Sequence, residues 1–385
     1  MKPHRVAYFV SHPIQYQAPL LREIAEHPQI DLTVYFLSGQ STEAYHDEGF
    51  NTQIKWDIPL TDGYKHVFLP AKTNPGEFSL TNPSVRIASV KRALTESTWD
   101  AVWIHGYNNL ALMYVIWFCK TRKLPLLFRG ESNLTSSPKG LLKDVFVRQL
   151  VKLAHGLMWV SSDNRDYYQH YGALDSQLFF SPYAVNNDFF QSFPRPADLS
   201  KQQDKCIILY ASKFIPRKHA PMLVQAFANL APEVRQHAEL WLVGDGADRD
   251  NIETIIKNQD LSHQVKLLGF KNQTELPEVM AACDVFVLPS EREPFGLVIN
   301  EVMNFAKAII TTDEVGAARD LVADGDNGWV IDANNQQALE TALAQAIANP
   351  QRLRDMGQGS LAKINAWSYK EDVQGLLAAL SAIKN

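Results

Sequence analysis

The sequence predicts an α/β protein built as two consecutive doubly wound units. Three observations lead there. Short apolar runs rich in β-branched and aromatic residues alternate with longer helical patterns along the chain. The alternation pauses once, in a polar, proline-bearing stretch, and then resumes. At 385 residues the chain also exceeds the usual size of one domain.

In the first series RVAYFV (5–10), LTVYFL (32–37), AVWIH (101–105), LPLLFR (124–129) and GLMWV (156–160) read as buried strands. PLLREIAEH (19–27) and LLKDVFVRQLVKLAH (141–155) read as amphipathic helices. Strands alternating with helices in this way predict a parallel sheet covered on both faces. The pause is QSFPRPADLSKQQDK, residues 191–205, read as a linker. The second series is CIILYAS, ELWLVGDG, QVKLLGF, DVFVLPS, AIITTD and GWVID. The expected organisation is a Rossmann-like domain over 1–190, the linker, a second such domain over 206–366, and a final amphipathic helix over 367–385 that could cross back to the first domain. Two such domains would face each other across a cleft.

Composition narrows the function classes. A hydrophobic content of 46% with 21% charged residues is ordinary for a globular protein. The net charge of −5 is uneven, near +2 over residues 1–185 and −7 over the remainder. An acidic chain without a basic tract argues against sequence-independent nucleic-acid binding. Cys119, Cys206 and Cys283 lie far apart in apolar runs and read as buried small hydrophobes. The amino terminus lacks a signal-peptide pattern, and LALMYVIWFC (110–119) is about half a membrane span. A cytoplasmic protein is expected, with peripheral contact at the inner face of a membrane left open.

Two segments concentrate the chemistry. EREPFGLVINE places Glu293 and Glu301 on either side of Phe295-Gly296, directly after the strand DVFVLP. Ligands of open α/β sheets bind beyond the carboxyl ends of strands. The amides of Gly296, Leu297 and Val298 would then meet an anion at a helix start. A carboxylate beside a phosphate needs hydrogen-bond donors, and a ribose diol would supply them to Glu301. Solvated surface charge is the plainer reading of both acids. SKFIPRKH (212–219) follows the strand CIILYA, and its Lys213 and Lys218 could clamp a diphosphate. LVGDG (242–246) has the glycines of a nucleotide-type turn, including Gly244.

Together these segments are similar to a known family. EPFGLVINE resembles the E-x-F-G-x-x-x-x-E (E-x7-E) signature of retaining, nucleotide-sugar-dependent glycosyltransferases of the glycosyl transferases group 1 family. SKFIPRKH resembles that family's G-R-x-x-x-x-K-G loop, and LLGFKNQTELPEVMAACDVFVLPS, with Phe270, its block before the signature. The resemblance is dense over 207–333 and diffuse before it. It departs at Lys213, where arginine is usual, at His219, where glycine is usual, and at SHPIQYQAPL (11–20), in place of a glycine-rich loop.

The resemblance implies the GT-B fold and transfer of a sugar from a nucleoside diphosphate sugar to a saccharide, lipid-linked or small-molecule acceptor. It implies no metal and no cofactor beyond the donor. Gly244, Phe270, Phe295, Gly296, Leu297, Val298 and Glu301 would bind the donor. Lys213 and Lys218 would neutralise the leaving diphosphate, with Glu293 and His105 near the sugar. On the acceptor side stand His12, Gln15, Arg129 and Glu131, the last two of which could face an acceptor or pair with each other. A nucleotide-sugar epimerase, a phosphorylase, or a non-catalytic sugar-nucleotide-binding subunit are the alternatives on the same fold. The helix over 139–155 carries Leu142, Val145, Phe146, Gln149, Leu150 and Leu153 beside Lys139, Lys143, Arg148 and Lys152. It would either dock on anionic lipid or simply cover the sheet.

Overall fold

The computed structural model of the protein describes residues 2–39, 41–69, 87–107, 109–135, 137, 140–193 and 205–383. In chain order the strands are β1 (His4–Val10), β2 (Ile30–Phe36), β3 (Tyr45–Asp47), β4 (Thr52–Ile54), β5 (Lys65–Phe68), β6 (Ala101–His105), β7 (Leu126–Arg129), β8 (Gly156–Trp159) and β9 (Leu178–Phe180). They continue as β10 (Cys206–Ala211), β11 (Ala238–Val243), β12 (Val265–Gly269), β13 (Val285–Leu288), β14 (Ala308–Thr312) and β15 (Gly328–Ile331). The chain forms two compact units. One comprises Met1–Tyr45, Ile58–Ala184 and Tyr369–Asn385, the other His46–Asp57 and Val185–Ser368.

The first unit holds a parallel sheet in the order β5-β2-β1-β6-β7-β8-β9. Its central strands are apolar without alternation because helices cover both faces, so Val6, Ala7, Phe9, Val102 and Ile104 are all buried. The helix Leu110–Arg122 starts on Asn109, whose side chain accepts the Ala111 N–H, and ends at left-handed Lys123. Helix Leu141–Leu153 buries Val147, Leu150 and Val151, with Phe146 and Leu153 packed partly buried against the same core. Leu141 and Leu142 are 84% and 88% exposed, and Val145 is exposed too. The expected single apolar stripe is thus divided between two faces, while Lys139 lies outside the described residues.

The carboxyl-terminal helix Tyr369–Ile383 packs in this same unit, against β8 and β9. A buried ion pair holds it there. Asp372 accepts from Arg129 Nη1 at 2.9 and 3.1 Å and from Ser181 Oγ at 2.6 Å. Tyr369 adds a hydrogen bond from its hydroxyl to the Tyr16 carbonyl.

The second unit has a parallel sheet in the order β12-β11-β10-β13-β14-β15, the doubly wound pattern 3-2-1-4-5-6. Ile208, Tyr210, Val285, Val287 and Ile310 form its core with Leu223, Val224, Phe227 and Leu339 from the covering helices. The short strands β3 and β4, from early in the chain, pair with each other and belong to this unit. Of the expected linker, residues 194–204 lie outside the described residues, and Gln191 and Ser192 end the helix Asn187–Ser192.

Candidate functional site

The second sheet has its topological switch point between β10 and β13, which pair through Ile208–Val285 and Leu209–Phe286. From there the chain winds outward in opposite directions, so the loops leaving these two strands border a gap. Those loops are SKFIPRKH and SEREPFG. Two segments some eighty residues apart in sequence therefore meet because their strands are neighbours. The Arg217 carbonyl accepts the Glu291 N–H at 2.9 Å, and Arg217 Nη1 donates to the Arg292 carbonyl at 2.9 Å.

Lys218 sits under this junction, 8% exposed, with its ammonium in contact with the Glu293 carboxylate. Arg217 Nη1 lies 3.6 Å from the same carboxylate. Burial, together with the charges of Arg217 and Lys213, holds the Lys218 ammonium below the usual lysine range. The Glu293 backbone is fixed by the loop after β14: its N–H donates to Glu314, and its carbonyl accepts from Gly316, both at 3.0 Å. A cation and an acid are thus held side by side in a half-dry setting, where charge is felt strongly.

Gly296, at φ 96°, is left-handed and caps the helix Leu297–Met303, a turn that a side chain would strain. Leu297 and Val298 form its half-buried first turn. Phe295 is buried and stacked on Trp367 at 6.4 Å, so its ring packs beneath the loop.

Glu301 lies one turn further on, 9% exposed, and accepts from Gln273 Nε2 at 3.1 Å. Burial raises its carboxyl to about 8, with the Gln273 bond acting weakly against that. The folded state therefore keeps a proton that the unfolded chain loses near the ordinary value of 4.5, so this group's contribution to stability falls as pH climbs from about 4.5 to about 8. Glu301→Gln is expected to raise the unfolding temperature of the ligand-free protein at pH 8 and to leave it little changed at pH 4.5. Equal shifts at both pH values would remove the buried-acid account.

Lys213 donates to both oxygens of Asp47, at 2.7 and 3.0 Å, and lies 4.8 Å over the Phe50 ring. Burial alone would raise the Asp47 carboxyl, but the Lys213 ammonium and the N–H groups of Phe50 and Gly49 outweigh it and lower it. Phe270 meets Phe50 edge to face at 5.0 Å. Gly244 has a structural reason to be glycine, since a Cβ there would lie 2.0 Å from the Ser212 carbonyl oxygen. Sequence reasoning missed Asp47, whose only local mark is the turn-forming run DEGFN.

A second cluster lies in the first unit, beyond β1, β6 and β7. His105 Nδ1 is 3.0 Å from both Tyr8 Oη and Gln17 Nε2, and its Nε2 is 3.4 Å from Glu131 Oε1. Burial would raise the Glu131 carboxyl, but His105 and Arg129 prevail and lower it. His12 bonds Ser11 Oγ at 2.9 Å, and burial, then the nearby His105, lowers its pKa. The side chain that reaches His105 is Gln17. Gln15 stays in the turn ahead of the helix Gln17–Glu26. Arg129, 2% exposed, is engaged by Asp372, Ser181 and the Pro182 carbonyl, so its guanidinium is not offered to an acceptor.

Among the described residues no group of three or more His, Cys, Asp or Glu side chains could hold a metal ion. A cavity lined by Lys205, Cys206, His237, Asp284 and Lys307 opens at the opposite, amino-terminal ends of the second unit's strands.

The switch-point sheet and its charged loops lie on a doubly wound, Rossmann-like unit. Residues 194–362 match the model of the glycosyl transferases group 1 family. The chain is 30% identical over 168 residues to the uncharacterized glycosyltransferase MJ1178 of Methanocaldococcus jannaschii, covering 44% of this chain and 46% of the relative. It is 31% identical over 168 residues to the lipopolysaccharide core biosynthesis glycosyltransferase LpsE of Rhizobium meliloti, covering 43% and 47%. Each match spans about half the length of the relative. The whole chain is similar in fold to Anabaena Alr3699/HepE, solved in complex with UDP and glucose, with a TM-score of 0.72, 20% identity, and 98% and 100% of the two chains covered. The fold is GT-B, a pair of Rossmann-like units.

Proposed function

We propose that the protein is a retaining glycosyltransferase that moves a sugar from a nucleoside diphosphate sugar to an acceptor hydroxyl. The polysaccharide, lipopolysaccharide or glycolipid assembly line is its proposed setting. The observation that carries this reading is the convergence of Lys213, Lys218, Glu293 and Glu301 at the switch point of the family-matched unit. In this reading Glu301 takes the ribose hydroxyls. Its burial holds it protonated near neutral pH, and a diol would give it hydrogen bonds that water does not. Lys213 and Lys218 take the diphosphate, whose leaving oxygen gains charge in the transition state. The first-turn amides of Leu297 and Val298 add partial positive charge, and Glu293 is set beside the sugar by its bond to Lys218.

Retention follows if the leaving phosphate takes the acceptor's proton on the face that it departs from. A double displacement would instead need a carboxylate on the opposite face. Glu293 is tied to Lys218 and is not assigned that part. His105 and Glu131 are assigned to the sugar and acceptor side. The test is a screen of nucleotide sugars by thermal shift, with donor hydrolysis read by mass spectrometry. A stabilising donor that is turned over supports the reading. Stabilisation by none, with no hydrolysis, would end it.

The same reading includes peripheral binding to an anionic membrane. The exposed Leu141, Leu142 and Val145, alongside Lys152 and Arg148 on one helix, support it. No helix among the described residues is long and apolar enough to cross a membrane. Leu141→Asp with Leu142→Asp is expected to reduce co-sedimentation with phosphatidylglycerol-containing vesicles by about tenfold or more. Undiminished binding by the double variant would place the contact elsewhere.

A further inference from the structure

The hairpin of β3 and β4 touches two of the segments assigned above to the donor, the Lys213 loop and the stretch from Phe270 to Thr274. At its tip Asp47 holds Lys213 through both carboxylate oxygens, and Phe50 covers the same ammonium while meeting Phe270. At its base the Lys55 carbonyl accepts from Asn272 Nδ2 at 2.7 Å, and Asp57 accepts from the Thr274 N–H at 3.0 Å and from its hydroxyl. Between those two residues Gln273 reaches Glu301. One short segment therefore spans from the diphosphate lysine to the loop beside the ribose acid.

We propose that this hairpin is a resident placeholder in the donor site, in which Asp47 serves Lys213 as a counter-ion until a diphosphate replaces it. The inference rests on the donor reading of Lys213. Both Asp47 oxygens lie on one ammonium, so a diphosphate reaching Lys213 would meet a carboxylate at contact distance, and like charges repel there. Asp47 has to yield. It also accepts the N–H groups of Gly49 and Phe50, at 2.9 and 3.0 Å, so the turn moves as one piece with it. Phe50 then leaves the lysine and Phe270. A two-stranded ladder of three residues a side has little stability of its own, so its position depends on these contacts and is open to exchange. The device favours ligands that bring enough negative charge to displace a carboxylate. A nucleoside diphosphate does so better than a monophosphate. Return of Asp47 to Lys213 would help the spent nucleotide to leave.

The test is calorimetry with UDP and with GDP on the wild type, Asp47→Asn, Lys213→Ala and the double variant. Asparagine can still accept from Gly49 and Phe50, so the turn is kept while the charge is removed. Asp47→Asn is expected to tighten binding of the nucleotide by about fivefold. Lys213→Ala is expected to weaken it, and Asp47→Asn to have no effect in that background. Hydrogen exchange of the peptide spanning residues 46–57 should quicken when the nucleotide is added to the wild type. If Lys213→Ala weakens binding while Asp47→Asn leaves it unchanged or weaker, the placeholder is wrong and the donor role of Lys213 stands. If neither nucleotide binds, or Lys213→Ala changes nothing, the donor role itself fails and takes the placeholder with it.

Discussion

Lys218→Ala is expected to lower sugar transfer by about 10²–10³-fold, the loss seen when one preorganised donor to a developing negative charge is removed. The lysine is buried beside Glu293 and cannot be replaced by water in the same place with the same charge. A leaving diphosphate would then face Glu293 without its partner, which adds repulsion to the lost attraction. The fall should appear in kcat as well as in kcat/KM, because the interaction grows as the bond to the sugar breaks. Lys218→Arg keeps the charge and should recover part of the rate, although its larger head has to fit a space closed by Arg217 and Glu293. Turnover within twofold of the wild type in the folded alanine variant would remove Lys218 from the mechanism. Circular dichroism and the unfolding temperature of both variants separate a chemical loss from a structural one.

Asp372→Ala is expected to destabilise the first unit by about 3–5 kcal/mol, because it leaves the Arg129 guanidinium buried without a counter-charge. Ser181 loses its short bond to the same carboxylate, and only the Pro182 carbonyl and Ser181 remain as acceptors for Arg129. The measurement is urea denaturation, following the transition that includes the carboxyl-terminal helix. Removing both charges with Arg129→Met and Asp372→Leu should restore much of the loss, since an apolar pair carries no desolvation penalty. A transition unmoved by Asp372→Ala would show that the ion pair is incidental to the helix's docking.

The architecture was legible because it is written in local patterns. Short, near-continuous apolar runs such as CIILYA and DVFVLP read as strands covered on both faces, and β10 and β13 lie in those runs. The charged loops were legible for the same reason, since each begins where such a strand ends. Features that depend on distant partners were not. Nothing near Arg129 announces Asp372, which is 243 residues away, so the arginine looks available to a ligand while its head is occupied. Likewise Lys213 looks like an unattended cation until Asp47, 166 residues earlier, is found on it. Leu142 and Val145 posed the opposite problem. They read as part of one stripe with Phe146, Leu150 and Leu153, but the rotation of the helix directs them outward, and Val147, Leu150 and Val151 are its buried residues. Short elements also escaped notice: β5 and β9, with four and three residues, are too brief for periodicity to reveal.

The two units are also interleaved along the chain, with His46–Asp57 serving the second and Tyr369–Asn385 the first. A ribosome making this protein delivers the sheet of the first unit early, yet withholds its last helix, and with it the partner of Arg129, until the second unit has been made. The second unit receives its hairpin first and the remainder long afterwards. Cutting the gene at the apparent linker would therefore yield two fragments that each lack a piece carried by the other. Co-expression of the two halves, in which each supplies the segment that the other lacks, is the arrangement under which both should fold.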